Sequence, residues 1–206
     1  GAMGAYANRG AEAVGDRIAI LAKNVYAHRT ARDLHQLGVE IAAVIDIRQE
    51  APASDSFEVL TASEVVNTHG RMGLNSIDVK TPQGLRQIQV SGLGVSGGWN
   101  PNIHLTCHQR GRPEWDAALS AFVPSADLPK ALHVAGAANG QMTTAAAIQD
   151  AITSAMKITE DYGRKPTSLA IPKTSDESAS ITPFWYVTGT ERGWVDQQND
   201  VTVKDI

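Results

Sequence analysis

One cysteine, Cys107, is all the thiol chemistry this chain carries. A single cysteine closes no internal disulfide, completes no zinc site and holds no iron–sulfur cluster, so the sequence reads as intracellular and cytoplasmic. Charge is also scarce, at 19% of residues, and the net charge of −4 is acidic. A nucleic-acid surface needs clustered Lys and Arg, so no nucleic-acid partner is expected. Long apolar runs are missing too. None reaches the roughly 18–20 residues that span a bilayer, so no membrane partner is expected. There is no internal repeat and no nucleophile elbow. What remains is a chain of 206 residues with 42% hydrophobic content, enough for one large domain or two small ones with a real core.

Residues 1–4, Gly1-Ala2-Met3-Gly4, read as the scar of a cleaved tag. The natural chain is therefore expected to extend further. Residues 17–21 form a short apolar run. Residues 26–37 follow, with Ala27, Ala31, Leu34 and Leu37 at helical spacing. Asn24 is the expected N-cap and Gly38 the expected stop. Residues 39–46 are a second apolar run ending at Asp46. Strand, helix, strand in about 30 residues predicts a βαβ unit with parallel strands.

Between 57 and 95 the texture changes to short alternating runs. Candidate strands lie at 57–60, 63–68, 75–81 and 86–90, with Ile77, Val79, Ile88 and Val90 facing inward and Pro82-Gln83-Gly84 as a turn. This predicts an antiparallel meander attached to the βαβ unit. Further on, a short helix is expected at 102–108, strands at 122–124 and 132–136, and a long amphipathic helix at 143–161. Its apolar face carries Ala147, Ile148, Ala151, Ile152, Ala155 and Ile158. Residues 164–183 read as a surface linker. Phe184, Trp185, Tyr186 and Trp194 stand in a polar setting and are expected to dock. No turn or cap is legible at Lys204-Asp205-Ile206.

The first βα turn, Ala22 to Ala27, holds no glycine. A dinucleotide fingerprint needs glycines there so that a pyrophosphate can approach the helix amino end. The phosphate site is therefore expected to be absent. Asp46 sits where a ribose-binding acid would sit, but the favoured reading is a carboxylate that caps or is solvated. The run from Leu132 to Ile148 differs. A strand leading into Gly136-Ala137-Ala138-Asn139-Gly140 and then a helix places small residues at a ligand crevice. An ordinary βα turn explains the same residues equally well. Thr143 and Thr144 are candidates to cap the helix or to bond a ligand. Gly97-Gly98 allows close backbone approach or a simple reversal. His104, Cys107 and His108 lie close in sequence, but a solvated helix face is preferred to a metal site.

Gly97-Gly98-Trp99-Asn100-Pro101, His104-Leu105-Thr106, Trp115-Asp116, the run Val134 to Gly140 and the tail Val195 to Ile206 together resemble the α subunit of heterotetrameric sarcosine oxidase. The resemblance covers nearly the whole chain past residue 4, and the tail is its most specific part. It implies an α/β, Rossmann-like fragment of a two-dinucleotide-domain, disulfide-reductase-like fold with an antiparallel β meander. On that pattern 5–95 is an inserted nucleotide-fold domain, 96–163 the return of the outer domain, and 164–206 a linker with the start of a C-terminal region. The resemblance implies NAD held by the whole subunit, with contacts on Ala137, Met142 and Thr144. It also implies FAD and FMN on or against the β subunit, folate in a region outside this chain, and β, γ and δ subunits as partners. No residue here is expected to be catalytic. An opine or amino-acid dehydrogenase subunit is the alternative enzyme. A subunit-interaction module that binds no nucleotide is the alternative of another class.

Overall fold

The computed structural model describes residues 1–108, 110–128, 131–167, 169–175, 181–184, 187, 193–196 and 198–206; for Trp194 this means the backbone. The chain divides into two compact units, Gly1–Gly97 with Thr182–Ile206, and Gly98–Ile181.

The first unit opens with a short helix, α1 (Ala2–Ala5), and a wide turn to Gly10. Strand β1 (Arg17–Ala22), helix α2 (Val25–Gln36) and strand β2 (Glu40–Asp46) follow, and β1 and β2 pair in parallel. The predicted βαβ unit is thus present. Asn24 caps α2 by accepting the Ala27 N–H at 3.2 Å, and Gly38 leaves the helix at φ +88, a conformation that favours glycine. Strand β3 (Val59–Leu60) joins the same sheet beside β2. Strands β4 (Glu64–His69), β5 (Ser76–Thr81) and β6 (Gly84–Gln89) form the antiparallel meander. Strand β7 (Gly92–Ser96) then returns to the parallel sheet, giving the order β3-β2-β1-β7.

Two expectations change here. Of the expected strand 57–60, Val59–Leu60 forms, and it belongs to the parallel sheet and not to the meander, because Val44 and Ile45 pair with Val59 and Leu60. Gly92–Ser96, beyond the last of the expected strands in this region, is a full parallel strand on β1. Short apolar runs carry no mark of the sheet they will join, and that ambiguity accounts for both.

Both faces of the parallel sheet are covered, which is why β1 and β2 read as continuous apolar runs. Alternate residues of β1 serve opposite sides. Ile18, Ile20 and Ala22 pack with Ala27, Ala31 and Leu34 of α2, while Ala19 and Leu21 pack with Ile77, Val79, Ile88 and Val90 of the meander. Ile77 and Val79 are fully closed from solvent, so each contributes roughly 1.5–3 kcal/mol by burial. The core of the first unit lies on these two faces.

The second unit contains helix α3 (His104–His108), a hairpin of β8 (Pro113–Asp116) and β9 (Ala121–Pro124), and the long helix α4 (Thr144–Asp161). Trp115 and Phe122 meet edge to face across the hairpin at 5.1 Å. Residues 132–136 are not a strand. Among the described residues no strand pairs with them, and Gly136–Asn139 is a 3-10 turn. A strand needs a ladder partner for its backbone groups, and sequence alone does not show whether one is there. α4 is present where expected, with Thr143 as its cap, accepting the Ala146 N–H at 3.3 Å. No residue of α4 is buried, however, and Ala121 is the unit's one buried hydrophobic residue among those described.

The tail returns to the first unit as β10 (Trp194–Asp196) and β11 (Val201–Thr202), paired antiparallel. Contrary to the sequence reading, its end is capped. The Asp205 carboxylate accepts the Thr202 N–H at 2.7 Å and the Thr202 hydroxyl at 2.6 Å, closing a 3-10 turn.

Candidate functional site

Two segments leading into a helix are candidates for nucleotide chemistry, one in each unit: the turn from β1 into α2 and the 3-10 turn and loop before α4. They differ in what already fills them.

In the first unit, the carboxyl end of β2 carries Asp46, fully buried. It does not face solvent. The His28 Nε2–H donates to its Oδ2 at 2.6 Å, and the Arg48 guanidinium donates to Oδ2 at 2.7 Å and to Oδ1 at 2.9 Å. The Arg48 backbone N–H adds a bond to Oδ1 at 2.9 Å. Burial alone would push this carboxyl up. The bonds from His28 and Arg48 outweigh it and hold the group down at about 2. The solvated reading is therefore corrected, while the capping role is partly right. Asp46 locks α2, through His28, to the end of β2. Periodicity places His28 on the buried face one turn after Asn24, and that was the signal available in the sequence.

At the turn itself, Asn24 is fully buried, and its Nδ2 has no hydrogen-bond partner among the described residues. Ser96 at the end of β7 donates to the Asn24 Oδ1 at 3.3 Å. The Lys23 carbonyl accepts the Thr182 N–H at 3.1 Å, and the Lys23 ammonium donates to the Phe184 carbonyl at 2.6 Å. Burial lowers the pKa of that ammonium. Phe184 is thus docked, as expected for the tail aromatics. Trp185, Tyr186 and Gln197 of the tail lie outside the described residues, as do 176–180 of the expected linker. The described remainder of 164–175 carries no helix or strand.

In the second unit, the 3-10 turn before α4 is held by Asp150. Its Oδ2 accepts the Gly136 N–H at 2.9 Å and the Asn139 Nδ2–H at 3.1 Å. Gly136 and Gly140 sit at φ +70 and +79. A Cβ at Gly140 would stand 3.0 Å from both Leu119 and Val123, so the loop packs directly on the hairpin. Ala137 lies in the 3-10 turn, Met142 in the loop and Thr144 in the first turn of α4, with Thr144 exposed. The structure brings these three residues to one short stretch at the amino end of an 18-residue helix. Backbone N–H groups at a helix amino end, beside small side chains, are the chemistry a dinucleotide site uses. The Ala22–Ala27 turn does not fit one.

The remaining candidates resolve simply. Gly98 is at φ +107, and a Cβ there would run into Ile181, so its backbone approaches the chain itself. His104 and His108 stand at the two ends of α3, Cys107 is exposed, and no three metal-ligating groups converge among the described residues. No helix among the described residues is long and apolar enough to cross a membrane.

These features are those of a Rossmann-like α/β fold, and comparison with known proteins agrees. No family model matches the chain. The sarcosine oxidase subunit alpha of Rhizobium meliloti (strain 1021) is 34% identical over 211 residues, spanning 100% of this chain. By sequence, the chain is homologous to one segment of sarcosine oxidase α subunits. It spans 21% of the length of the Rhizobium subunit. Among solved structures, L-proline dehydrogenase from P. horikoshii superposes with a TM-score of 0.56 at 16% identity, over 82% of this chain and 34% of that one. The HOCl-induced flavoprotein disulfide reductase of Escherichia coli gives a TM-score of 0.50 at 15% identity, over 74% of this chain and 37% of that one. The expected Rossmann-like, disulfide-reductase-like fold with an antiparallel meander is therefore present.

Proposed function

We propose that this chain is the nucleotide-fold scaffold of a sarcosine oxidase α subunit and is not itself a catalytic part. The end-to-end match to such subunits carries this reading. In the assembled cytoplasmic enzyme, sarcosine is oxidatively demethylated to glycine, with FAD and FMN on or against the β subunit carrying electrons to oxygen. A folate-binding region elsewhere in the subunit takes the one-carbon unit. The β, γ and δ subunits are the partners. Residues 5–95 supply the inserted domain and 96–163 the return of the outer one.

NAD is held by the whole subunit, and this chain contributes contacts at Ala137, Met142 and Thr144. Ala137 and the adjacent Gly136 leave room for close approach. The α4 amino end favours negative charge, and the exposed Thr144 hydroxyl can bond a ribose or phosphate oxygen. Asp150 fixes the 3-10 turn in advance, which lowers the ordering cost of binding. Taken alone, the chain binds NAD weakly and catalyses nothing.

Calorimetric titration of NAD into the chain and into Thr144→Val tests this. Binding tighter than about 1 mM, roughly 4 kcal/mol, that weakens in Thr144→Val supports the reading. No heat up to that concentration favours an interaction module instead.

A further inference from the structure

Ligands of open parallel sheets enter at the carboxyl ends of the strands, where the order of the chain reverses. In the first unit that point is the end of β1, between β2 and β7. Lys23 and Asn24 stand there, at the amino end of α2. What covers Lys23 is the chain itself. Thr182 bonds the Lys23 carbonyl through its N–H, and Phe184 takes the Lys23 ammonium on its own carbonyl. The ammonium also lies 5.4 Å from the centre of the Phe184 ring. Phe184 in turn lines a cavity of about 260 Å³ with Ile47, Ala62, Ser63 and Pro82.

We infer that residues 182–184 form an intramolecular strap that occupies the nucleotide crevice of the first unit, so that this unit takes no dinucleotide there. A lysine stands where a fingerprint needs glycine, and both its backbone and its side chain are engaged by the strap. Withdrawing the ammonium from water is unfavourable by itself, and the Phe184 carbonyl and ring compensate. The strap therefore replaces a ligand as the partner of this turn, and the Rossmann-like unit anchors the returning chain. This reading is independent of the NAD contacts proposed for the second unit.

Amide hydrogen exchange on the full chain tests it, with NAD and inorganic pyrophosphate as probes. The Thr182 amide should be protected, and neither probe at about 1 mM should slow exchange at residues 23–28. In Phe184→Ala the Thr182 amide should exchange about tenfold faster while Ala19 and Val44 keep their protection, showing that the sheet is intact. Lys23→Met, which keeps the apolar stem, should act alike and serves if Phe184→Ala fails to fold. An unprotected Thr182 amide in the unsubstituted chain overturns the strap. So does protection unmoved by the substitutions, or slowing at 23–28 by either probe.

Discussion

The Nε2 of His28 lies 2.6 Å from the Oδ2 of Asp46, and both side chains are closed from solvent. One residue belongs to α2 and the other to the end of β2, so this bond fixes how the helix lies on the sheet. Replacing His28 by Ala leaves a buried carboxylate with Arg48 as its remaining side-chain partner. We expect a loss of about 2–4 kcal/mol in urea denaturation. A loss under about 0.5 kcal/mol would mean that water or another group replaces the bond.

The same carboxylate sets an acid dependence. Its folded pKa, about 2, lies below the ordinary value. A depressed carboxyl contributes stability above its unfolded pKa and loses it as pH falls towards the folded value. The denaturation midpoint of the chain should therefore fall between about pH 5 and pH 2. The gap between the chain and Asp46→Asn should narrow over that window. A gap independent of pH would contradict the assigned ion pairing.

Gly140 is held in a left-handed conformation against the hairpin, whereas Gly163 has a similar φ of +68 with open space around it. Gly140→Ala should cost about 2 kcal/mol or more, adding crowding to backbone strain. Gly163→Ala should cost only about 1 kcal/mol, from strain alone. Thermal denaturation of the two variants decides, and equal losses would show that the hairpin yields freely.

The isoleucines of helix α4 are partly buried, whereas Ile77 is fully closed from solvent. Ile152→Ala should shift the chain's stability by less than about 1 kcal/mol, whereas Ile77→Ala in the meander should cost about 2–5 kcal/mol. The half-exposed apolar face should also bind a hydrophobic dye, and Ile152→Ser should reduce that signal. Equal destabilisation by the two alanine substitutions would mean that α4 is buried in solution.

Much of this fold was legible because its signals are local. Asn24, Gly38 and Thr143 mark helix ends through bonds made within one turn, and the buried alternation of Ile77 and Val79 follows from the period of a strand. What was not legible depends on distant partners. Val59-Leu60 and Gly92 to Ser96 join β2 and β1 respectively, a choice no window of sequence contains. Leu132 to Gly136 looks like a strand because apolar residues are there, yet among the described residues it has no ladder partner. At the candidate sites, the Gly136 to Thr144 loop was visible as small residues before a helix. Asp46 was visible as a carboxylate at a strand end. Its pairing with His28 needed α2 laid on the sheet, and the clasp of Lys23 by Phe184 joins residues 161 positions apart.

The central claim, that the nucleotide-facing surface of this chain is the Gly136–Thr144 loop, is tested most directly by titrating NAD into the isotope-labelled chain and mapping amide shifts by NMR. The account predicts shifts that saturate at millimolar NAD and cluster at residues 136–145, with those at 23–28 unmoved. Shifts centred on residues 23–28, or none anywhere, would contradict it.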